Sequence, residues 1–320
     1  MKPQLPHVNR KILITGGTGL LALNWACAMR NTWQVVLGVH CHDVRLDGVE
    51  SVQLNLNSAS DFERTLDNVC PDLIVHTAGM TNVDTCEADR FGAFDANANS
   101  AEVVARVAQQ KSVRLIHLST DHLFDGSIPF CNEQTEPRPL NTYAESKLAA
   151  EKLVTEMCPA ALILRTNFFC WGSAYRQSFS DWIINGLRAD SELQMFDDVF
   201  FTPILADELI RFAHGLNENR ASGVFNVVGT RRISKYDFGV ELAQSLGLPA
   251  GRIQPGKVAS AHLRAARPKD MSLSNERLVQ ALGRSPGDLQ QWFEQLHLQE
   301  AQGRRQELMN AVNRRGVGHV

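Results

Sequence analysis

Apolar positions along this chain fall into two alternating rhythms. Short, nearly continuous apolar runs occupy residues 12–14, 34–39, 52–56, 72–77, 113–118 and 161–166. Such runs, bounded by Gly, Pro or polar residues, predict buried strands. Between them, residues 20–30, 60–69, 87–95, 99–110 and 141–157 read as helices, with Val103, Val104 and Val107 on one face. Strands alternating with helices at this spacing predict right-handed β-α-β units, hence an α/β fold with a parallel, doubly wound sheet. Past residue 166 the rhythm loosens. Helices are expected at 178–187 and 204–216, a short strand at 193–196 and another strand at 223–228. Ser234 opens a further helix that ends near Gly247 before Pro249, and Ser285-Pro286-Gly287-Asp288 caps a last one through Leu296. Residues 301–320 read as a polar tail with four arginines, frayed at Gly316-Val317-Gly318.

Composition narrows the partners. Apolar content of 44% and charged content of 21% are ordinary for a globular protein. A net charge of −3 gives no reason to expect nucleic acid as partner, and no apolar run is long enough for a membrane span. Residues 1–10 carry two prolines and no apolar core, so no signal peptide is expected there. Seven scattered cysteines without a C-x-x-C fit reduced thiols in the cytoplasm.

The first strand runs into Thr15-Gly16-Gly17-Thr18-Gly19-Leu20-Leu21-Ala22. A glycine-rich turn between strand and helix aims backbone N–H groups at one point, which suits a pyrophosphate. Gly17, Gly19 and Ala22 fit G-x-G-x-x-G/A, a spacing that a plain glycine-rich loop can also produce. The second strand ends in His40-Cys41-His42, with Asp43 late and Arg45 after it. No acid stands where NAD would need one for its 2′-hydroxyl, which favours NADP over NAD, with NAD as the alternative. His40 and His42 read equally well as surface loop residues. Residues 40–43 make a poor metal set because neighbouring side chains diverge, and no metal is expected. Ala78-Gly79 would let a ligand approach the backbone at a strand's carboxyl edge. Ser119-Thr120-Asp121 ends another strand, although such clusters also merely terminate strands. Tyr143 and Lys147, four apart, share a helical face, and an idle surface pair would look the same.

Together these pieces resemble the extended short-chain dehydrogenase/reductase superfamily, and within it the dTDP-4-dehydrorhamnose reductase family. The resemblance covers roughly residues 10–298. It is carried in order by the glycine turn, His76-Thr77-Ala78-Gly79-Met80-Thr81-Asn82-Val83-Asp84, Leu118 to Gly126, Tyr143-Ala144-Glu145-Ser146-Lys147, Leu164-Arg165-Thr166-Asn167 and Arg267-Pro268. Ala22 replaces the usual third glycine, Thr77-Ala78-Gly79 an Asn/Ala run, and His122 a frequent tyrosine.

The resemblance implies a Rossmann-like domain over 1–170, with 204–228 returning to it, a smaller C-terminal substrate-binding lobe over 171–203 and 229–298, and the tail over 299–320. It implies NADPH-dependent reduction of a nucleotide-linked 4-keto-6-deoxy sugar. Tyr143 would be the general acid, Lys147 would lower its pKa and hold the nicotinamide ribose, and Thr120 would orient the carbonyl. Gly16, Thr18, Gly19, Leu20 and Leu21 would line the pyrophosphate, and His40 the adenosine ribose. Asn55 and Leu56 would border adenine, Ala78 and Gly79 would flank the cofactor, and Thr166, Asn167 and Phe168 would meet the carboxamide end. Val83, Asp84 and Ser119 would lie near the sugar. Arg267 would be a phosphate partner or an ordinary surface residue, and Asn97 would hold architecture. Thr120-Asp121-His122 lacks the glutamate of the related dehydratases. Two other functions fit the motifs: an epimerase, and a non-catalytic NADP-binding subunit such as that of methionine adenosyltransferase. Some relatives form homodimers, and nothing in the sequence decides that here.

Overall fold

A computed structural model describes residues 10–261 and 263–314, with the side chains of 313 and 314 excepted. Seven parallel strands form the central sheet: β1 (Lys11–Thr15), β2 (Gln34–Val39), β3 (Val49–Gln53), β4 (Leu73–His76), β5 (Arg114–Leu118), β6 (Leu162–Arg165) and β7 (Gly223–Asn226). Their order is β7-β6-β5-β4-β1-β2-β3. The chain winds outward from β1 in one direction, then from β4 in the other. This leaves a crevice between the carboxyl ends of β1 and β4, where open α/β sheets bind ligands.

The two-residue period of a strand sorts the core. Ile12, Ile14, Val35, Leu37, Ile116 and Leu162 face one side and pack on α1 (Leu20–Met29) and on Ala206–Glu218. Leu13, Val36, Ile74, Leu115 and Ile163 face the other. There they meet α2 (Ala59–Val69), α3 (Ser100–Gln110) and α4 (Thr142–Met157). The first of these cores continues without a break into the second lobe. In that lobe Phe238 sits edge-on to Phe169, Phe201 and Phe293 at 5.3–5.4 Å between ring centres. The lobe is therefore welded to the sheet through one apolar core.

Local expectations change in two places. The third strand lies at Val49–Gln53, earlier than 52–56. It is a half-exposed edge strand whose Glu50, Ser51 and Gln53 mask its character. Leu54 ends it by folding over Gly38, where a Cβ would stand 1.9 Å from Leu54 Cδ1. The helix expected over 87–95 is two short helices, Val83–Ala88 and Arg90–Phe94, broken where Asp89 leaves helical geometry to cap the Gly92 N–H. A π-helical turn at Asp95–Asn99 then leads into α3.

The segment expected only as a polar tail has a definite structure. The last helix continues to Ala301, Gly303 turns at φ +88°, and a further helix runs over Arg304–Ala311. Val312–Arg314 then pairs antiparallel with His42–Val44. Leu308 and Ala311 are buried, and Glu307 pairs with Arg30 of the first lobe. The apolar positions of this helix are too few for the pattern to announce it. Gly316-Val317-Gly318 lies outside the described residues.

Candidate active site at the carboxyl edge of the sheet

The glycine turn is fixed by contact on both sides. Gly16 has φ +69°, and a Cβ there would stand 2.8 Å from the Ala78 backbone. Ala78, expected beside the cofactor, is thus held against the turn itself, whereas Gly79, expected with it, lies against Asn97, whose Oδ1 would stand 2.5 Å from a Cβ there. The Gly17 N–H donates to Gly38 O at 2.8 Å. Gly19 starts α1 without a side-chain cap, and the first turn carries no acid. The amides around Leu20 and Leu21 therefore present an uncompensated positive end, the arrangement that receives a phosphate. Farther along the same edge, the buried Ser119 Oγ and Thr166 Oγ1 have no hydrogen-bond partner among the described residues. Buried hydroxyls are seldom left so without a ligand to meet them. The residues present therefore fit a bound dinucleotide.

At the end of β2 the expected ribose residue His40 is exposed, its Nδ1 2.9 Å from Cys41 Sγ and its carbonyl accepting from Gln53 Nε2 at 2.7 Å. His42 packs on Tyr175 at 4.3 Å between ring centres. Asn55 lies past the end of β3, where its amide donates to Asp61 at 2.8 Å, and Leu56 follows it half-buried. Asn167 donates to Asp121 Oδ2 at 2.5 Å, and Phe168 opens the short strand that pairs with Ile204–Leu205.

Asn141 caps α4 by accepting the Ala144 N–H and also donates to Ala266 O at 2.9 Å. This cap orients the turn that carries Tyr143. The Tyr143 ring is 9% exposed, packed beside Cys86, Ala93, Met80 and Val83 and edge-on to His122 at 5.7 Å. Burial pushes its hydroxyl pKa up to about 12, and the neighbouring Thr120 side chain acts the other way. One turn on, Lys147 donates to Leu118 O at 2.6 Å, and burial pulls its pKa down to about 8. The resemblance implies that Lys147 lowers the Tyr143 pKa. In the structure burial prevails, and the neighbouring Thr120 side chain is the leading opposing influence. Behind Lys147, His76 and His117 stack at 5.2 Å, and burial and the Lys147 charge both lower their pKa values, His76 to about 3. Thr15 Oγ1 meets His76 Nδ1 at 2.8 Å.

Asn97 has an architectural place: it bonds the Met80 N–H and carbonyl at 2.8 and 3.0 Å and Ser146 Oγ at 2.9 Å. Val83 starts its short helix beside Tyr143. The expected substrate residues Asp84 and Arg267 are joined to each other at 3.1 Å. Asp84 also accepts the Ala265 N–H, which with Arg267 holds its carboxyl below the usual range. Arg267 is therefore partly neutralised and spends a second N–H on Ala265 O at 2.9 Å. Among the described residues, no cluster of three His, Cys, Asp or Glu is disposed to hold a metal, and no helix is long and apolar enough to cross a membrane.

Residues 10–301 match the family described as RmlD substrate binding domain. The chain belongs to that family. It is 31% identical over 230 residues to the dTDP-4-dehydrorhamnose reductase of Escherichia coli, covering 68% of this chain and 75% of that one. It is 28% identical over 289 residues to methionine adenosyltransferase 2 subunit beta of Bos taurus, covering 84% and 82%. The crystal structure of dTDP-4-dehydrorhamnose reductase from Bacillus anthracis, in complex with NADP, superposes with a TM-score of 0.81 at 22% identity, over 91% of this chain and 99% of that one. This last likeness supports the Rossmann-like fold.

Family membership does not announce every residue at the edge. Lys235 and Arg176 approach from the second lobe, Lys235 near Asp121 and His122, Arg176 onto Thr81 Oγ1. Neither belongs to a motif. The lobe's irregular rhythm gave no register from which to place them.

Proposed function

We propose that this protein is an NADPH-dependent reductase of a nucleotide-linked 4-keto-6-deoxy sugar, with NAD as the alternative cofactor. The observation that carries the reading is that buried Thr120 and Tyr143 are neighbours at the sheet edge, with Lys147 one helical turn from Tyr143. When bound, the nicotinamide supplies the hydride. The chain supplies position and a proton. Burial keeps Tyr143 protonated at neutral pH, so it holds the proton that a developing alkoxide needs. Thr120 Oγ1 is held by the His122 N–H at 3.2 Å and donates to Asp121 Oδ1 at 3.3 Å in the free chain; on substrate binding its hydroxyl proton would turn to the carbonyl oxygen. The Lys147 ammonium, anchored on Leu118 O, brings positive charge to the side where negative charge develops. The open start of α1 supports pyrophosphate binding, and the absence of an acid at the end of β2 supports NADP. Ser119, Val83, Asp84 and Arg267 are the proposed sugar-side contacts.

A second reading is a non-catalytic NADP-binding subunit of a larger enzyme, favoured by the likeness to the bovine subunit over 84% of this chain. NADPH oxidation, followed optically with a panel of dTDP- and UDP-linked 4-keto-6-deoxy sugars, decides between them. Turnover with one of the sugars is expected. Intact NADPH binding with no turnover across the panel would overturn the reductase reading and favour the subunit.

A further inference from the structure

The second lobe brings to the cleft an ammonium that has neither a carboxylate nor a carbonyl partner among the described residues. Lys235 begins the helix Lys235–Ser245 of the second lobe. Its ammonium lies 3.4 Å from the centre of the Phe201 ring and 4.7 Å from that of Phe179. Among the described residues no carboxylate forms an ion pair with it. Asp121, the acid whose charge it feels, is already bonded by Asn167 Nδ2 at 2.5 Å and by Thr120 Oγ1 at 3.3 Å. The other cations of the cleft spend N–H groups on the protein: Arg267 on Asp84, Arg176 on the Thr81 hydroxyl and Lys147 on Leu118 O. His122, which feels both Lys235 and Arg267, has a buried Nδ1 with no partner among the described residues.

Aromatic faces hold an ammonium in place without neutralising it. A partly desolvated cation without a counter-charge costs stability, and such a cost persists where a ligand repays it. We propose that Lys235 is the oxyanion receptor of the substrate cleft. It would bind either the diphosphate of the nucleotide or a carboxylate on the sugar, with His122 Nδ1 beside it as a second polar contact. The proposal rests on the nucleotide-sugar reading and adds to it a specificity residue from the second lobe. Asp84 and Arg267 remain proposed substrate contacts, but their pairing leaves Arg267 only partly free for an anion.

The test is calorimetric titration of the NADPH-loaded protein with dTDP, UDP and UDP-glucuronate, comparing wild type with Lys235→Met, Lys235→Gln and Lys235→Arg. Met keeps the stem on the two rings and removes the charge, and Gln is a second neutral variant should Met disturb folding. Loss of about tenfold or more in affinity for dTDP or UDP in the neutral variants, largely restored by Arg, with NADPH affinity unchanged, assigns the oxyanion to the diphosphate. The same loss confined to UDP-glucuronate assigns it to the sugar. Affinities in a folded neutral variant within about twofold of wild type for all three probes overturn the proposal and leave the reductase reading standing. A wild type that binds none of the three overturns both.

Discussion

Tyr143 and Lys147 sit one turn apart on one helix, and burial moves their protons in opposite directions. The phenol is pushed up to about 12 and the ammonium down to about 8. The lysine shift has a consequence for stability. Its folded pKa lies below the unfolded value, so between about pH 8 and pH 10.4 the unfolded chain holds a proton the folded chain has lost. The Lys147 contribution to stability should therefore rise with pH through that window, by up to roughly 3 kcal/mol, with Lys235 acting alike and the buried thiols, whose pKa values are raised, acting against both. Lys147→Met should remove that contribution, which the difference between wild-type and variant denaturant titrations from pH 7 to 10 would read. At this scale the motif residues were legible. Tyr143, Lys147 and Thr120 stand at fixed offsets on a helix and at a strand end, and a short fixed offset survives folding unchanged. Lys235 was not legible, because it reaches the cleft through lobe packing that no local spacing encodes. The Asp84–Arg267 pair joins two expected substrate residues 183 positions apart by one ion pair, a fact that only the folded chain contains.

At the scale of elements, the turn between β1 and α1 is the most constrained piece. Gly16 is left-handed and closed in by the Ala78 backbone at 2.8 Å. Gly16→Ala should cost about 1–3 kcal/mol of stability, because an L side chain is strained there and Ala78 must yield. NADPH should then protect the variant less than the wild type, since the same shift deforms the phosphate cradle. Thermal unfolding with and without NADPH measures both effects. The strand–helix alternation around this turn was readable because central strands are apolar on both faces. The edge strand β3 was displaced by three residues, since its exposed Glu50, Ser51 and Gln53 hide the period that marks the others. The break at Asp89 and the π turn after it arise from one capping bond and tertiary contacts of Asn97, which leave helical spacing nearly intact in the sequence.

At the scale of the whole molecule, one apolar core joins the sheet to the second lobe, and the C-terminal segment closes back on the first. The helix Arg304–Ala311 lies over α1, where burial pushes the Cys27 thiol up to about 11. Removal of residues 304–320 should expose Cys27 and let a thiol reagent modify it rapidly, whereas the intact chain should react there only on unfolding. The reagent's time course on the two chains checks this. This closure escaped the sequence reading because its bonds, Glu307 to Arg30 and Val312–Arg314 to His42–Val44, link positions hundreds of residues apart.

The central claim is that Tyr143 delivers the proton when a keto sugar is reduced. Its most direct test is NADPH oxidation with the keto sugar that the wild type turns over, compared with Tyr143→Phe, alongside NADPH binding by both proteins. The account predicts that kcat falls by about two to four orders of magnitude in the variant while NADPH affinity is kept. A variant that turns over at the wild-type rate would contradict it.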